Sequence, residues 1–314
     1  MYLAEMLEQV VRLFAALFVF FLGFILGSTR EGRRVSNIIA KLLLYLFIPA
    51  IIIYKVASTQ LGIIVQYAVL VTAVFWLTLG SAAILVPRIL REYSEKTIGA
   101  AILAAGIHNS GFLPIPLMLM LYGDAGPAAL YSTIASIHAS IIVPIIVGLY
   151  RAEKRNEEGS VARIVLRSII AYPPFIALLA GLASRGFMTT CPDQVVSTLS
   201  SLYTISAEAT LISFYLVGAA LRQSGLGLDK PVLVITLWRL IVEPIITLIV
   251  ILSVNPAIGE LWIRGLIIES FMPPATMNIV VAVIYGLDYK VVAKSIGIST
   301  PFSIALALLQ FFIN

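Results

Sequence analysis

Apolar residues run along this chain in ten long blocks parted by short polar stretches. A sliding window of about 19 residues sets the segments as follows. The first half holds segment 1 (Leu7–Gly27), segment 2 (Val35–Tyr54), segment 3 (Gly62–Val86, stopped by Pro87), segment 4 (Ile98–Leu121) and segment 5 (Ala128–Tyr150). The second half holds segment 6 (Ile164–Ser184), segment 7 (Val195–Leu221), segment 8 (Val232–Val254), segment 9 (Leu261–Tyr285) and segment 10 (Val291–Ile313). A helix needs roughly 20 apolar residues to cross the hydrocarbon of a bilayer. The expected fold class is therefore an all-α membrane protein of ten transmembrane helices.

Two of the ten segments are interrupted. Segment 4 carries Pro114 and Pro116, and segment 9 carries Pro273 and Pro274. Each ends in Tyr-Gly, at Tyr122-Gly123 and Tyr285-Gly286, and an Asp follows each time, Asp124 and Asp288. Phe112-Leu113-Pro114 echoes Phe271-Met272-Pro273. The broken segments stand fourth and ninth, the same place in two halves of five, and an odd number turns the second half upside down. The expected organisation is two inverted five-helix repeats, residues 1–150 and 164–314, joined by a cytoplasmic linker at 151–163. Broken segments in matching positions of two halves point to a transporter binding site. Proline removes a backbone donor and clashes with the preceding turn, and carbonyls freed at membrane depth find partners only inside protein or beside water. Segments 4 and 9 are thus expected to be buried against each other. Each Pro pair can end one half-helix and begin another, whose N-terminus offers N–H groups and partial positive charge to an anion.

Composition supports the bilayer as a partner. Of 314 residues, 60% are hydrophobic and 12% are charged, against about a quarter charged in a soluble domain. Mean hydropathy is +1.03. Basic residues are dispersed over short loops, so the pI of 9.3 does not call for nucleic acid. Fourteen Lys and Arg follow odd-numbered segments, Arg151, Lys154 and Arg155 among them, and only Lys55 and Arg185 follow even-numbered ones. The positive-inside rule then puts the odd loops in the cytoplasm and both termini outside, in a multi-pass protein of the cell membrane. Glu5 and Glu8 stand where a leader would be basic, and segment 1 ends without a small-x-small cleavage pattern, so it is expected to remain a membrane helix. Cys191 is alone and offers neither an intrachain disulfide nor a metal cluster. No Gly-rich phosphate loop, zinc-type His pair or Ser/His/Asp cluster calls for a cofactor, a metal or catalysis; His108 and His138 are the only histidines.

Asn109-Ser110-Gly111-Phe112-Leu113-Pro114-Ile115-Pro116-Leu117 resembles the fourth-helix motif of the auxin efflux carrier family. Glu269-Ser270-Phe271-Met272-Pro273-Pro274-Ala275-Thr276-Met277-Asn278 resembles its ninth-helix motif, and Ser299-Thr300-Pro301-Phe302-Ser303 looks like the start of its last helix. The resemblance implies a fold similar to bile-acid symporters and sodium/proton antiporters, with crossing helices 4 and 9. It implies a scaffold of segments 1, 2, 6 and 7 and a moving transport domain of segments 3–5 and 8–10. It also implies a homodimer joined through segments 2 and 7, with Leu42, Leu43, Leu46 and Ile53 as a contact face. Only a short linker joins the halves, so the long regulatory loop of plant auxin carriers is absent. Small carboxylates such as malate and malonate are the implied substrates ahead of auxin.

The candidate substrate site comprises Asn109, Ser110, Pro114, Pro116, His138, Pro273, Pro274 and Asn278. The amides of Asn109 and Asn278 either bond substrate or tie down freed carbonyls. His138 falls near where the family places polar lining residues, or simply packs. Glu269, one turn before the second Pro pair, is a candidate for coupling or for holding broken backbone, because charges within spans are functional candidates by default. Glu208 and Glu243 can pair with Arg239 or cap kinks. The function read from these features is a secondary carrier of small organic anions. The alternative is a sodium-coupled symporter or ion antiporter of the same architecture, although segment 5 lacks the acidic pair expected of an antiporter.

Overall fold

The computed structural model describes residues 2–150, 173–224 and 227–313. The linker at 151–163 and the start of segment 6 lie outside the described residues. Thirteen helices are described: α1 (Tyr2–Leu26), α2 (Arg30–Ser58), α3 (Leu61–Ile89), α4 (Glu95–Gly106), α5 (Pro114–Tyr122), α6 (Gly126–Tyr150), α7 (Pro173–Ala183), α8 (Arg185–Thr190), α9 (Asp193–Arg222), α10 (Lys230–Val254), α11 (Glu260–Ser270), α12 (Met277–Tyr285) and α13 (Tyr289–Ile313). Among the described residues there is no strand, only an isolated bridge between His108 and Pro274.

Six of these helices (α2, α3, α6, α9, α10 and α13) are long and apolar enough to cross a membrane. Phe14–Leu26 in α1 and Pro173–Ala183 are shorter apolar helices. Segments 4 and 9 are each divided in two, into α4 and α5 and into α11 and α12. Buried residues concentrate on α4 and α5, where every residue of 97–106 and 114–121 is buried or nearly so. Large apolar side chains such as Phe14, Phe18, Leu149, Ile205 and Leu252 stand exposed on the outer helices. A soluble surface rarely carries so much exposed apolar area; facing lipid, it is stable.

Local chemistry sets the boundaries. Thr29 Oγ1 accepts from Gly32 N at 2.9 Å and starts α2 five residues before the apolar run does. Ser94 caps α4 in the same way through Thr97 N. Gly123 and Gly286 adopt φ of 70° and 72° at the ends of α5 and α12, the left-handed cap for which glycine is suited. Inside α2 and α10 the chain widens into π turns at Leu43–Phe47 and Trp238–Val242, just before Pro49 and Pro244. Proline cannot donate to the carbonyl four residues back and crowds it; one extra residue in the turn relieves the clash.

Three sequence expectations shift. Pro87 does not stop α3, which runs on to Ile89 because Leu90 N still closes onto Val86 O. Ser299–Ser303 lie in the middle of α13 rather than at its start. Leu43 is buried in the core, while Leu42, Tyr45 and Leu46 are the exposed side chains of that stretch.

The helix ends are tied in two groups. Lys55 of α2 and Tyr203 of α9 both reach Asp124, which follows α5, and Arg185 donates to the carbonyls of Val56 and Thr59. At other ends Lys230 pairs with Glu92, Lys294 with Asp229 (3.0 Å), and Thr97 Oγ1 donates to Asp288 (3.1 Å).

Candidate functional site

Regular hydrogen bonding in segment 4 stops at Gly106 and resumes at Pro114; in segment 9 it stops at Ser270 and resumes at Met277. The first break thus lies upstream of its prolines, since Pro114 and Pro116 sit in the opening turn of α5, where the missing N–H is no loss. The second break contains Pro273 and Pro274 themselves. The two breaks lie against each other. Asn109 N donates to Pro273 O at 2.8 Å, and Ala275 N donates to Ile107 O at 3.0 Å. Each break thereby satisfies backbone groups that lipid could not.

The sequence candidates take distinct places. Asn109 Oδ1 accepts from Phe112 N at 3.1 Å; its Nδ2 donors are not used in this turn. Asn278 is committed to the backbone, with Nδ2 donating to Ile107 O at 2.8 Å and to Leu103 O at 3.3 Å, two carbonyls at the end of α4. Ser110 Oγ lies 3.4 Å from Ser132 Oγ of α6, and Gly111 keeps this corner open, because a Cβ there would come within 3.2 Å of Ser132 Oγ. Ser213 of α9 donates to Phe112 O at 2.6 Å and ties the first break to that helix. His138 contacts α3 instead, at Thr72 Oγ1 (3.0 Å), Phe75 and Trp76; none of these contacts is with a break residue. An apolar cavity of about 100 Å³ opens beside α5, lined by Phe20, Leu117, Met120, Phe214, Ile304 and Leu308 among others.

Glu269 is fully buried and does not stand alone. His108 Nε2 is 3.1 Å from Glu269 Oε2, and His108 Nδ1 is 3.2 Å from Glu243 Oε1. Glu243 also pairs with Arg239, one turn away on α10. Arg239 Nε donates to Met272 O at 3.0 Å and its Nη1 to Ala105 O at 3.1 Å. One guanidinium thus caps carbonyls at the C-terminal ends of both α4 and α11, where the helix dipole favours a cation. Exposure is 0% for Arg239 and Glu269, 1% for Glu243 and 5% for His108, so all four charges or potential charges are out of water. Sequence reasoning paired Glu243 with Arg239 but left His108 unassigned. The signal for the first two was an ionisable pair four residues apart inside an apolar run; nothing local marks His108. Glu208 pairs with Arg12 of α1 rather than with Arg239.

An all-helical chain with lipid-facing outer helices, and two broken membrane segments bonded around a buried ion cluster, has the make-up of a membrane transport protein. The comparison with known families agrees. The pattern of the family described as "Membrane transport protein" matches residues 6–311, and the chain belongs to that family, which is of the auxin efflux carrier type. It is 27% identical over 297 residues to the "Uncharacterized transporter MJ1031" of Methanocaldococcus jannaschii, covering 91% of each chain. The protein is a transporter and not an enzyme.

Proposed function

We propose that the chain is a secondary carrier of small organic anions that works by alternating access, built as two inverted five-helix repeats of ten spans. The observation that carries this reading is the backbone pairing of the two breaks, Asn109 N to Pro273 O and Ala275 N to Ile107 O. It brings the break that precedes α5 against the break that precedes α12, and half-helix starts attract anions. Because Pro114 and Pro116 bring no N–H, side chains carry more of the recognition than helix ends alone. Asn109 Nδ2 and Ser110 Oγ, both in the break before α5, are the donors to the anion in this reading, with Pro114, Pro116, Pro273 and Pro274 shaping the corner. His138, on α6 against α3, serves as a more distant lining residue. The adjoining apolar cavity suits the hydrocarbon part of a weak acid. In this reading segments 1, 2, 6 and 7 form the scaffold of a homodimer in the cell membrane, with both termini outside.

A specific observation also favours the second reading, an ion-coupled symporter or antiporter of the same architecture. Segment 5 has no acidic pair, but Glu243 of α10 and Glu269 of α11 form a buried one, both within 3.2 Å of His108. A thermal-shift screen of the purified protein against carboxylates, amino acids and auxin-like acids tests the anion reading. A ligand that binds the folded state raises its apparent stability by mass action, about 2.7 kcal/mol at a hundred times Kd. Carboxylates should raise the melting temperature and uncharged analogues should not. A screen in which no anion does so removes the reading.

A further inference from the structure

The cluster behind the breaks fails to balance as drawn with ordinary charges. Arg239 carries one positive charge, and Glu243 and Glu269 carry two negative ones. The surplus is one negative charge in a site with no access to water, which is costly at membrane depth. Hydrogen bonding gives the same answer independently. Neutral imidazole has a single N–H, yet both ring nitrogens of His108 face carboxylate oxygens, at 3.1 and 3.2 Å. With one N–H, the second nitrogen turns a lone pair onto a carboxylate, and the two repel. One additional proton cures both faults, whether it sits on the imidazole or on one carboxyl. A metal cation does not, because these distances leave no room for an ion between nitrogen and oxygen.

We propose that His108, Glu243, Glu269 and Arg239 form a proton-binding site, holding one proton that exchanges with water as the two broken helices move. The coupling rests on the carrier reading above; the proton count rests on the geometry alone. The exchange makes and breaks only bonds to that proton, which water supplies and water takes back. Glu269 Oε1 and the Tyr131 hydroxyl are buried without a hydrogen-bond partner, and the Tyr131 ring lies 5.2 Å from that of His108. Glu269 Oε1 is the vacant acceptor onto which the proton can shift, while the Tyr131 hydroxyl, which already holds its own proton, is a nearby donor. From α3, Tyr67 approaches α11 through Trp262 and donates its hydroxyl hydrogen to Pro127 O. From α13, packed on Trp238–Val242, the buried polar groups are the hydroxyls of Ser295, Ser299, Thr300 and Ser303. No further charge on these elements offsets the surplus among the described residues. Arg239 holds the carbonyls of Ala105 and Met272. Loss of the proton therefore leaves net negative charge at the one side chain that grips both breaks, and draws it away from them.

The full chain in lipid nanodiscs tests this without any substrate. His138→Gln leaves His108 as the sole histidine, so nitrogen NMR of labelled imidazole reports it alone, while infrared spectra report protonated carboxyl groups. Near neutral pH, either an imidazolium or a protonated carboxyl should be seen. Raising the pH should remove it as one proton per folded chain. Hydrogen exchange at 105–113 and 270–277, corrected for its intrinsic pH dependence, should rise at that step by tenfold or more. Glu269→Gln should abolish the step; the unsubstituted cluster gives the same readouts if that variant does not fold. A neutral imidazole with no protonated carboxyl, a proton kept at every pH where the chain is folded, or exchange that ignores the step overturns the proposal. Should no anion shift the melting temperature while the step persists, the anion reading fails and the proton site stands.

Discussion

Asn109 and Asn278 look interchangeable in sequence, each an amide beside a proline break, yet their surroundings demand opposite behaviour. Asn109 uses only its oxygen, accepting from Phe112 N. An aspartate accepts the same bond, so Asn109→Asp should fold and lose less stability than Asn278→Asp, the remaining cost being that of a buried charge. What it loses is the Nδ2 donor, and it adds a negative charge beside the proposed anion. Affinity for any anion found in the screen should fall about tenfold or more, since a hydrogen bond to a charged partner contributes roughly 1.5–3 kcal/mol. Undiminished affinity in this variant would remove Asn109 from the site. Asn278 is the reverse. Its Nδ2 donates to two carbonyls, Leu103 O and Ile107 O, and an aspartate there would set oxygen against oxygen in a buried place. Asn278→Asp should cost about 3 kcal/mol of stability, read as a lower melting temperature before any ligand is added. If it melts like the parent, the amide is not what ties the end of α4.

At the scale of elements, α1 and the second half of α9 pack so closely that glycine is required. A Cβ at Gly23 would fall on the Tyr215 carbonyl, one at Gly27 on Ala219, and one at Gly218 on the Phe20 carbonyl. Without a hydrophobic drive between helices in lipid, small residues that let backbones approach are what hold such a pair. Gly23→Ala should therefore destabilise the protein by about 1–3 kcal/mol, seen as a lower melting temperature in detergent, whereas Gly80→Ala, with nothing within 4 Å of the added carbon, should not. Equal melting of the two variants would mean that the α1–α9 contact is looser than described. Much of this scale was legible in advance. Long apolar runs mark helices because lipid leaves the backbone no other partner, and Pro pairs flag broken helices. The position of the first break was not legible. Pro114 begins α5 as readily as it could have ended α4, and the choice falls to Asn109, which turns locally onto Phe112 and pairs with Pro273 on a segment more than 160 residues away. The ion cluster was legible only in part, for the same reason. Arg239 and Glu243 announce themselves by spacing, but their closure around His108 and Glu269 is a product of three elements meeting.

For the molecule as a whole, the ties between helix ends sort by parity. Asp124, Lys55, Tyr203, Val56, Thr59 and Arg185 gather around the ends that follow segments 2, 4 and 6. Glu92, Lys230, Asp229, Lys294, Thr97 and Asp288 join the ends that follow segments 3, 7 and 9. Segments 3, 4 and 7 therefore begin at one of these sets of ends and finish at the other, as alternate crossings of a bilayer require. Which set faces the cytoplasm is not a matter of packing. The positive-inside rule gives the expectation for it, because Lys and Arg in short loops resist translocation, and fourteen of the sixteen loop cations named by sequence follow odd segments. A cysteine at Gln60, exposed after segment 2, should react with an impermeant maleimide in intact cells, in a variant whose Cys191 is replaced by serine. A cysteine at Asn156, in the loop after segment 5, should react only once the membrane is permeabilised. The reverse pattern would invert the molecule and place both termini inside. Labelling of both positions in intact cells would mean that segments 3 to 5 do not cross an odd number of times, which would break the inverted-repeat plan itself.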